Sequence, residues 1–542
     1  MKSSILKFQS NNFTWLSRFS FVFQNNIAET KILFNNLSKK SRQRLTLSIA
    51  FLGICSAYGQ EKQQDSTKVE KLDEVLVRAV RVDAKSPITH SNVTKEALAK
   101  RNLGQDIPML LNFLPSVVTT TDAGAGIGYT GIRVRGVSSQ STNITINGIP
   151  YNDAESLGTF WVNLGDFASS TESLQLQRGV GTSTNGSGAF GASINVLTDA
   201  ISKEASGEIS NSFGSYNTRK HTVKFSTGLM NDHIEIAGRL SNIVSDGYID
   251  RASADLKSYF LQGSYVDDNT LIKAITFGGK EVTYQAWNGL EDLDKLEDDR
   301  TYNTAGEYTD NNGDPQFYDN EVDNYSQDHY QLHWNQRYDN QWSTTLGLNY
   351  TKGQGYFEQY KEDEGFDDYG LDPLDFNGDI IDETDLIRRR WLDNDFYVIN
   401  ANASYKDDNL NLIFGGSFSH YDGDHFGEVI WAEYASQTEI RDRYYDGNSI
   451  KNDLSMFTKA NYRLNEKVSL YGDLQVRNVT YKTTGTTSDI VEFAIDKDFT
   501  FFNPKAGITY SLNTGNDLYF SYARANREPN RTDFESNENI ES

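Results

Sequence analysis

The chain has 542 residues and is acidic, with a formal net charge of −24, and 12% of its residues are aromatic. No run of about 18 apolar residues follows the N-terminal region, which excludes a bundle of membrane-spanning helices. A β-barrel in an outer membrane is compatible with this polar average, because its strands expose only alternate residues to lipid. The charge balance offers no basic surface for phosphate backbones and argues against a nucleic-acid partner.

Residues 1–59 predict a targeting segment that directs the chain to export. Basic residues precede an apolar stretch at 45–57, and the small residues Ala57 and Gly59 favour cleavage near 59/60. Cys55 is the one cysteine and lies in this stretch, so the mature chain would contain no disulfide. A lipoprotein signal is less favoured, because no small residue directly precedes the cysteine.

Residues 60–85 predict a polar tether that is interrupted by the short β-prone segment "DEVLV". Residues 86–200 alternate short helix and strand signals, which is typical of a small mixed α/β domain. In this domain "NVTKEALAK" predicts a helix capped by Asn92, and "LGQDIPMLLNFLPSV" predicts a second helix closed by Pro115.

Residues 205–542 predict a long series of amphipathic β-strands, about 13 in number. In "VSLYGDLQV" the residues Leu470 and Leu474 share one face, and Tyr471 and Asp473 share the other. Short Asn/Asp turns alternate with long links, which is typical of transmembrane barrels. The long links are predicted at 285–325, 353–393 and 421–452.

An odd number of strands has a further implication for the barrel. Single-chain bacterial barrels have even strand numbers, and an open sheet edge in lipid leaves backbone groups unsatisfied. We therefore expect the chain to be a fragment whose barrel lacks C-terminal strands.

Three motifs carry a resemblance to a known family: "LDEVLVRAVR", "IRVRGVSSQSTNITINGIPYND" and "SLQLQRGVGTSTNGSGAFGASINVLT". In this order they resemble the N-terminal plug of TonB-dependent outer-membrane receptors, in the style of the Bacteroidetes members. The resemblance covers 72–198 by motif and 205–542 by architecture. It implies a mainly β fold, with an antiparallel transmembrane barrel of about 22 strands filled by the plug. It also implies a transporter in the cell outer membrane rather than an enzyme.

The resemblance implies active import of a scarce nutrient, with a ferric chelate or siderophore ranked first. Cobalamin, haem and oligosaccharide remain alternatives. Energy would come from the inner-membrane TonB–ExbB–ExbD complex, because the outer membrane holds no ATP. A β-prone segment can add an edge strand to a partner sheet, although it could instead be the first plug strand. The residues that match the TonB box are Asp73, Glu74, Val75, Leu76 and Val77.

Family geometry implies that the plug turns at 120–130, 138–142 and 151–161 face the outside and contact the cargo. The candidate ligand contacts on these turns are Tyr129, Gln140, Tyr151, Asn152, Asp153, Glu155 and Trp161. The alternatives are that the Asn and Asp residues only satisfy turn backbone and that Trp161 is plug core.

The resemblance also carries over two plug arginines, Arg135 and Arg178, each of which precedes a glycine. The family pairs such arginines with barrel glutamates, and a desolvated arginine between plug and wall needs an acidic partner. We therefore expect both residues to form plug–barrel ion pairs, with partners that the sequence does not identify.

No cofactor is expected, although one loop has weak metal-site character. Asp310, Asn312, Asp314 and Glu321 occur at the offsets of an EF-hand calcium loop. However, Pro315 occupies the position that needs glycine, which favours a plain acidic loop over a Ca²⁺ site. His329 and His333 lie on the same face of a predicted strand. This spacing on a strand does not match the zinc-binding HExxH motif, which requires a helix.

Other function classes fit the sequence less well. A passive porin or an adhesin would have neither a plug nor a coupling segment, and a secreted enzyme would need a nucleophile or zinc motif such as GxSxG or HExxH. The acidic loops would repel a polyanion, so they favour a neutral or cationic cargo over ferric citrate.

Overall fold

A computed structural model of the protein describes residues 2–8, 81–82, 86–186, 191–290, 293–513 and 515–535. These residues form a small N-terminal domain, here called the plug, and one large antiparallel sheet. The plug contains a 5-stranded sheet of order β2-β7-β8-β5-β6, in which the β5–β8 pair is parallel, and a β3–β4 hairpin. Its strands are β2 (His90–Thr94), β3 (Val117–Thr121), β4 (Thr130–Val134), β5 (Thr142–Ile146), β6 (Ile149–Pro150), β7 (Thr171–Arg178) and β8 (Ala192–Thr198), and β1 (Lys2–Phe8) belongs to the large sheet.

Two short helices lie in the plug, and both are shorter than predicted. Helix α1 (Lys95–Ala99) begins after Thr94, whose hydroxyl accepts the Ala97 N–H, so the prediction of Asn92 as its cap is wrong. Asn92 lies in β2 instead, where its side-chain oxygen accepts a hydrogen bond from Gln175. Helix α2 (Ile107–Leu111) carries a proline in its first turn, where the missing N–H costs nothing.

The large sheet has 14 strands in the order β1-β9-β10-β11-β12-β13-β16-β17-β20-β21-β22-β23-β24-β25. From β9 onward, thirteen strands follow one another along the chain as antiparallel neighbours, which confirms the predicted strand number. Their bounds are β9 (Ser206–Phe213), β10 (Arg219–Ser226), β11 (Ile234–Ser245), β12 (Ala254–Val266), β13 (Thr270–Tyr284), β16 (Val322–Arg337), β17 (Trp342–Gly365), β20 (Glu383–Lys406), β21 (Leu410–Ala432), β22 (Arg443–Arg463), β23 (Val468–Thr486), β24 (Glu492–Asn513) and β25 (Asn516–Ala523).

The links between the strands agree only partly with the prediction. Between β13 and β16 a long connection carries helix α3 (Leu293–Asp298) and the hairpin strands β14 (Glu307–Thr309) and β15 (Pro315–Phe317). The predicted links 353–393 and 421–452 are too long, because β17, β20, β21 and β22 continue through most of them. The shorter connection between β17 and β20 contains β18 (Leu374–Phe376) and β19 (Asp379–Ile381).

These strands exceed the length that a membrane requires. Strand β17 has 24 residues, whereas about 9–11 residues span a bilayer. The hairpins therefore extend beyond the membrane as paired sheet, in which each strand satisfies the backbone groups of its neighbour.

The sheet has its apolar side chains outside and its polar side chains inside. On β11, Ile236 and Leu240 are exposed, whereas Glu235 and Arg239 are only 1% and 2% exposed. The predicted alternation on β23 holds as well, with Leu474 exposed and Asp473 buried. This inversion relative to a soluble protein is what a lipid-facing outer surface requires. Among the described residues, no helix is long and apolar enough to cross a membrane.

The plug lies against the inner face of the sheet. Its apolar core contains Trp161 and Phe167 and continues into the wall through Phe260 and Phe277. Strands from β10 to β25 contribute residues that contact the plug, which means that the sheet curves around the plug. The wall residues that touch the plug include Lys220, Arg239, Phe260, Phe277, His329, Asn400, Tyr421, Lys451, Asp473, Lys505 and Tyr519.

We expect Trp161→Ala to destabilise the plug, because Trp161 is 2% exposed in its core. Truncation of a buried tryptophan costs about 3–5 kcal/mol. Hydrogen exchange of the β7 and β8 amides measures this loss locally. The matched control is Phe160→Ala, which removes a half-exposed neighbouring ring and should change protection little. Unchanged protection together with weaker cargo binding would instead identify Trp161 as a cargo contact.

Candidate functional site

A cavity of about 1240 Å³ lies between the top of the plug and the inner face of the sheet. The plug contributes Tyr129, Tyr151 and Asp153 to its floor. The wall and the connections above it contribute aromatic and charged side chains, including Glu281, Trp287, Asp323, Tyr325, Phe357, Arg390, His425 and Arg531. A bound molecule would therefore touch the plug and the wall at the same time.

Two of the predicted contacts join the plug to the wall at this floor. The Tyr129 hydroxyl donates a hydrogen bond to Asp323 of β16, and its ring meets Trp287 edge to face at 5.6 Å. The Tyr151 hydroxyl donates to Gln327 at 3.2 Å, and its ring lies 5.3 Å from His329. Burial raises the pKa of both tyrosines, so each hydroxyl stays protonated and able to donate.

The turn at 151–161 is held by its own polar side chains. Asn152 accepts the Ile144 N–H at 2.7 Å and donates to the carbonyl of Leu157, so its side chain serves the backbone. Asp153 accepts the N–H groups of Glu155 and Ser156, and it also lines the cavity. Of these two residues, only the aspartate faces space that a ligand could occupy.

Glu155 is a buried anchor between the plug and the far wall. Its carboxylate accepts hydrogen bonds from Tyr481 at 2.6 Å and Tyr421 at 3.0 Å, and it pairs with His425 at 2.6 Å. Arg531 of helix α4 (Arg531–Glu535) adds a further ion pair at 3.3 Å. Burial acts to raise the pKa of Glu155, but His425 and Arg531 outweigh it and hold this pKa well below its usual range.

Asp166 forms a second anchor, on the opposite side of the plug. Its side chain accepts hydrogen bonds from Lys220 at 2.5 Å, Thr222 at 2.6 Å and Ser241 at 2.8 Å, and Arg239 donates to its carbonyl oxygen. Burial acts to raise the pKa of Asp166, but the charges of Lys220 and Arg239 hold it well below its usual range. The residue has a φ of 53°, a left-handed conformation that aspartate tolerates.

Besides Asn152 and Glu155, four further predicted site residues do not line the cavity. Gln140 is exposed and receives a hydrogen bond from Arg527 on its carbonyl oxygen. Trp161 packs in the plug core. Arg178 donates within the plug, to Pro115 O and Ser91 Oγ, and among the described residues it has no carboxylate partner. Arg135 is exposed at a φ of 56°. The pairing of both arginines with barrel glutamates stays a prediction.

Other predictions concern segments at the margins of the structure. The TonB-box residues 73–77 and the cleavage position 59/60 lie outside the described residues. In the β14–β15 hairpin, Asp310 accepts the N–H groups of Asn312 and Asp314, which is a turn interaction. Within the part of the chain that the structure describes, no group of three or more His, Cys, Asp or Glu side chains could hold a metal ion.

The sequence did not single out the wall residues of the cavity. Strand alternation places Asp323, Tyr325 and Phe357 on the inner face, but many other polar and aromatic residues share that face. Which of them lie level with the top of the plug depends on strand register and stagger, which sequence alone does not define.

Comparison with known protein families agrees with this geometry. The family described as the TonB-dependent Receptor Plug Domain matches residues 82–193. The TonB dependent receptor-like beta-barrel family matches residues 263–539, about half of the chain. The chain belongs to the TonB-dependent receptors. Receptors of this family are outer-membrane proteins and are not enzymes.

Individual relatives of the receptor are distant. It is 26% identical over 255 residues to the probable TonB-dependent siderophore receptor PirA of Acinetobacter baumannii, which covers 43% of this chain. It is 24% identical over 332 residues to the ferrienterobactin receptor of Escherichia coli, which covers 56% of this chain. The chain spans 31% and 44%, respectively, of the length of these curated relatives.

A solved structure supports the fold of the receptor. The ferric-catecholate import receptor Fiu of E. coli K12, in its open form, superposes with a TM-score of 0.62 at 14% identity. The alignment covers 82% of this chain and 71% of Fiu. At this identity the likeness establishes a plugged β-sheet fold and carries no information on cargo.

We expect Asp166→Asn to loosen the plug from the wall by about 3–5 kcal/mol, because it leaves Lys220 buried without its anion. The folded-state pKa of Asp166 is depressed, so its stabilisation is complete above the unfolded value of about 3.9 and fades as the pH falls further. Denaturation in detergent at several pH values measures both effects.

The control for this experiment is Glu172→Gln, which removes a half-exposed partner of Lys95 and should cost at most about 1 kcal/mol. A stability difference between Asp166→Asn and the parent that stays constant from pH 7 to about pH 2 would contradict the charge-pair assignment.

Proposed function

We propose that this receptor imports a ferric chelate across the outer membrane in a TonB-dependent manner. The observation that carries the proposal is the cavity of about 1240 Å³, whose floor is plug and whose walls are barrel strands. It exceeds the space of about 300–1,000 Å³ that a typical small ligand needs, which suits a chelate of several ligand arms. The two relatives, a probable siderophore receptor and a ferrienterobactin receptor, favour iron over other cargo.

The plug supports active rather than passive transport. It contacts strands around most of the sheet and fills the space that a porin would leave open. A chelate that binds Tyr129, Tyr151 or Asp153 would act directly on the element that must move. Pulling by TonB on residues 73–77 would supply the work, because the outer membrane has no energy source of its own.

We expect deletion of residues 73–77 to abolish uptake of radiolabelled ferric chelate by cells while surface binding stays intact. The reason is that this deletion removes the handle for TonB and leaves the cavity unchanged. The matched control deletes residues 62–66, which shortens the tether equally and should retain uptake. Unchanged uptake without 73–77 would contradict the coupling role of this segment.

We expect Trp287→Ala to weaken binding of the chelate at least about tenfold, which corresponds to about 1.4 kcal/mol. Trp287 is partly exposed and lines the cavity beside Tyr129. Binding is measured on the purified receptor with ferric catecholate, hydroxamate and citrate complexes. The control is Trp342→Ala, an exposed tryptophan that begins β17 beside Tyr405, away from the cavity. Saturable binding of haem, cobalamin or an oligosaccharide, with none of the ferric complexes bound, would overturn the iron assignment.

A further inference from the structure

Two acidic side chains lie next to each other in the wall of the cavity. Glu281 is on β13 and Asp323 is on β16, and these strands are hydrogen-bonded neighbours. The register pairs Glu281 with Tyr325 and Thr283 with Asp323, so the two carboxylates are diagonal neighbours on one face. Both line the cavity, and their charges interact.

Glu281 lacks the partner that a buried carboxylate normally has. It is 3% exposed, and its Oε2 has no hydrogen-bond partner among the described residues. Asp323 accepts hydrogen bonds from the hydroxyl of Tyr129 and from the backbone N–H of Asn324. Neither residue forms an ion pair within the part of the chain that the structure describes. Burying a charged carboxylate without a compensating cation is strongly unfavourable, and uptake of a proton or of a bound cation would remove this cost.

Three other buried carboxylates of the receptor have cations of their own, whereas buried Asp106 and Glu235 form no ion pair among the described residues. Glu155 has Arg531, Asp166 has Lys220 and Arg239, and Asp199 has Lys95 and Lys224. These ion pairs connect the plug to the wall or connect two parts of the plug. Glu281 and Asp323 differ because they border open space instead of a basic side chain.

Arg390 also lines the cavity but does not neutralise the two carboxylates. Its guanidinium lies 5.9 Å from the centre of the Phe357 ring and donates to the hydroxyl of Tyr444 at 3.4 Å. Lys497 and Arg531 also line the cavity, and no described cation forms an ion pair with Glu281.

Aromatic rings border the carboxylate pair. Phe357 lies opposite Asp323 in the strand register, and its ring meets Trp287 edge to face at 6.0 Å. Tyr129 meets the other side of Trp287 at 5.6 Å. Aromatic faces attract cations and also pack against alkyl carbons. Carboxylates beside aromatic rings are the surroundings that suit an organic cation.

We propose that Glu281 and Asp323 form a subsite for a protonated amine, an alkylammonium group carried by the cargo. The N–H groups would donate to the two carboxylates, and the alkyl carbons would contact Trp287 and Phe357. A metal ion fits less well, because the described residues provide no group of three or more metal-binding side chains. This inference rests on the proposed import function, since it assigns a charged group to the imported chelate.

The test uses the purified full chain in detergent and n-butylammonium chloride as the probe. Isothermal titration should give saturable binding with a dissociation constant on the order of 1 mM. Neutral n-butanol and sodium chloride at matched ionic strength should give no saturable signal. Equal responses to butylammonium and butanol would overturn the proposal.

Two near-isosteric variants test whether butylammonium binds at Glu281 and Asp323. Glu281→Gln and Asp323→Asn should each weaken butylammonium binding at least about tenfold, or about 1.4 kcal/mol. Asp328→Asn, on the outer face of the same strand as Asp323, should leave it unchanged. Glu281→Gln breaks no described hydrogen bond, so it carries the test if Asp323→Asn fails to fold. Unaltered binding by Glu281→Gln would overturn the proposal.

A second comparison separates this inference from the iron assignment. The probes are a ferric hydroxamate complex with a free terminal amine and the same complex after acetylation of that amine. Tighter binding of the free amine, lost in Glu281→Gln, supports the subsite. Equal binding of both complexes overturns the subsite and leaves iron import standing. Butylammonium binding with neither ferric complex bound supports the subsite and contradicts a ferric hydroxamate as the cargo.

Discussion

Charge pairing between the plug and the inner face of the sheet is the interaction on which the rest of this receptor depends. The sheet must face lipid with apolar side chains, so its polar and charged residues are directed inward, where no bulk water solvates them all. Two plug carboxylates on opposite sides of the plug provide partners for these inward-facing groups. Glu155 pairs with Arg531 and His425. Asp166 pairs with Lys220 and Arg239. Removal of either carboxylate with the plug in place would leave its wall cations buried without an anion, which is costly.

The polar character of these anchors affects how the plug could separate from the wall. The described anchors consist of plug carboxylates and wall cations, and each uses several hydrogen bonds at once. Ser183 adds a contact of another kind, since it bonds Asp473 and Lys505 of the wall at the same time. If TonB moves the plug as proposed, polar anchors of this type can be exchanged for water. An apolar interface of equal area would release the plug only with exposure of hydrophobic surface.

The cavity adjoins this plug–wall junction. Tyr129 borders the cavity and contacts the wall through its hydroxyl, and Tyr151 does the same through Gln327. A molecule that displaces either bond would alter the attachment of the plug directly. The surplus of uncompensated acid at Glu281 and Asp323 gives this space a chemical character that the plug turns alone do not have. It also agrees with the preference for neutral or cationic cargo that the acidic loops suggest.

The sequence by itself determined the plug, the strand number and the inverted alternation of the sheet, because these features rest on local motifs and on a period of two along each strand. The family resemblance named seven candidate ligand contacts, of which Tyr129, Tyr151 and Asp153 line the cavity. Only the tertiary structure decided that Asp166 is an anchor, that Trp161 is core and that Glu281 and Asp323 lie side by side. It also decided how far the hairpins extend. These outcomes depend on which strands are neighbours and on their stagger, so residues 42 positions apart become partners through register, which no local pattern encodes.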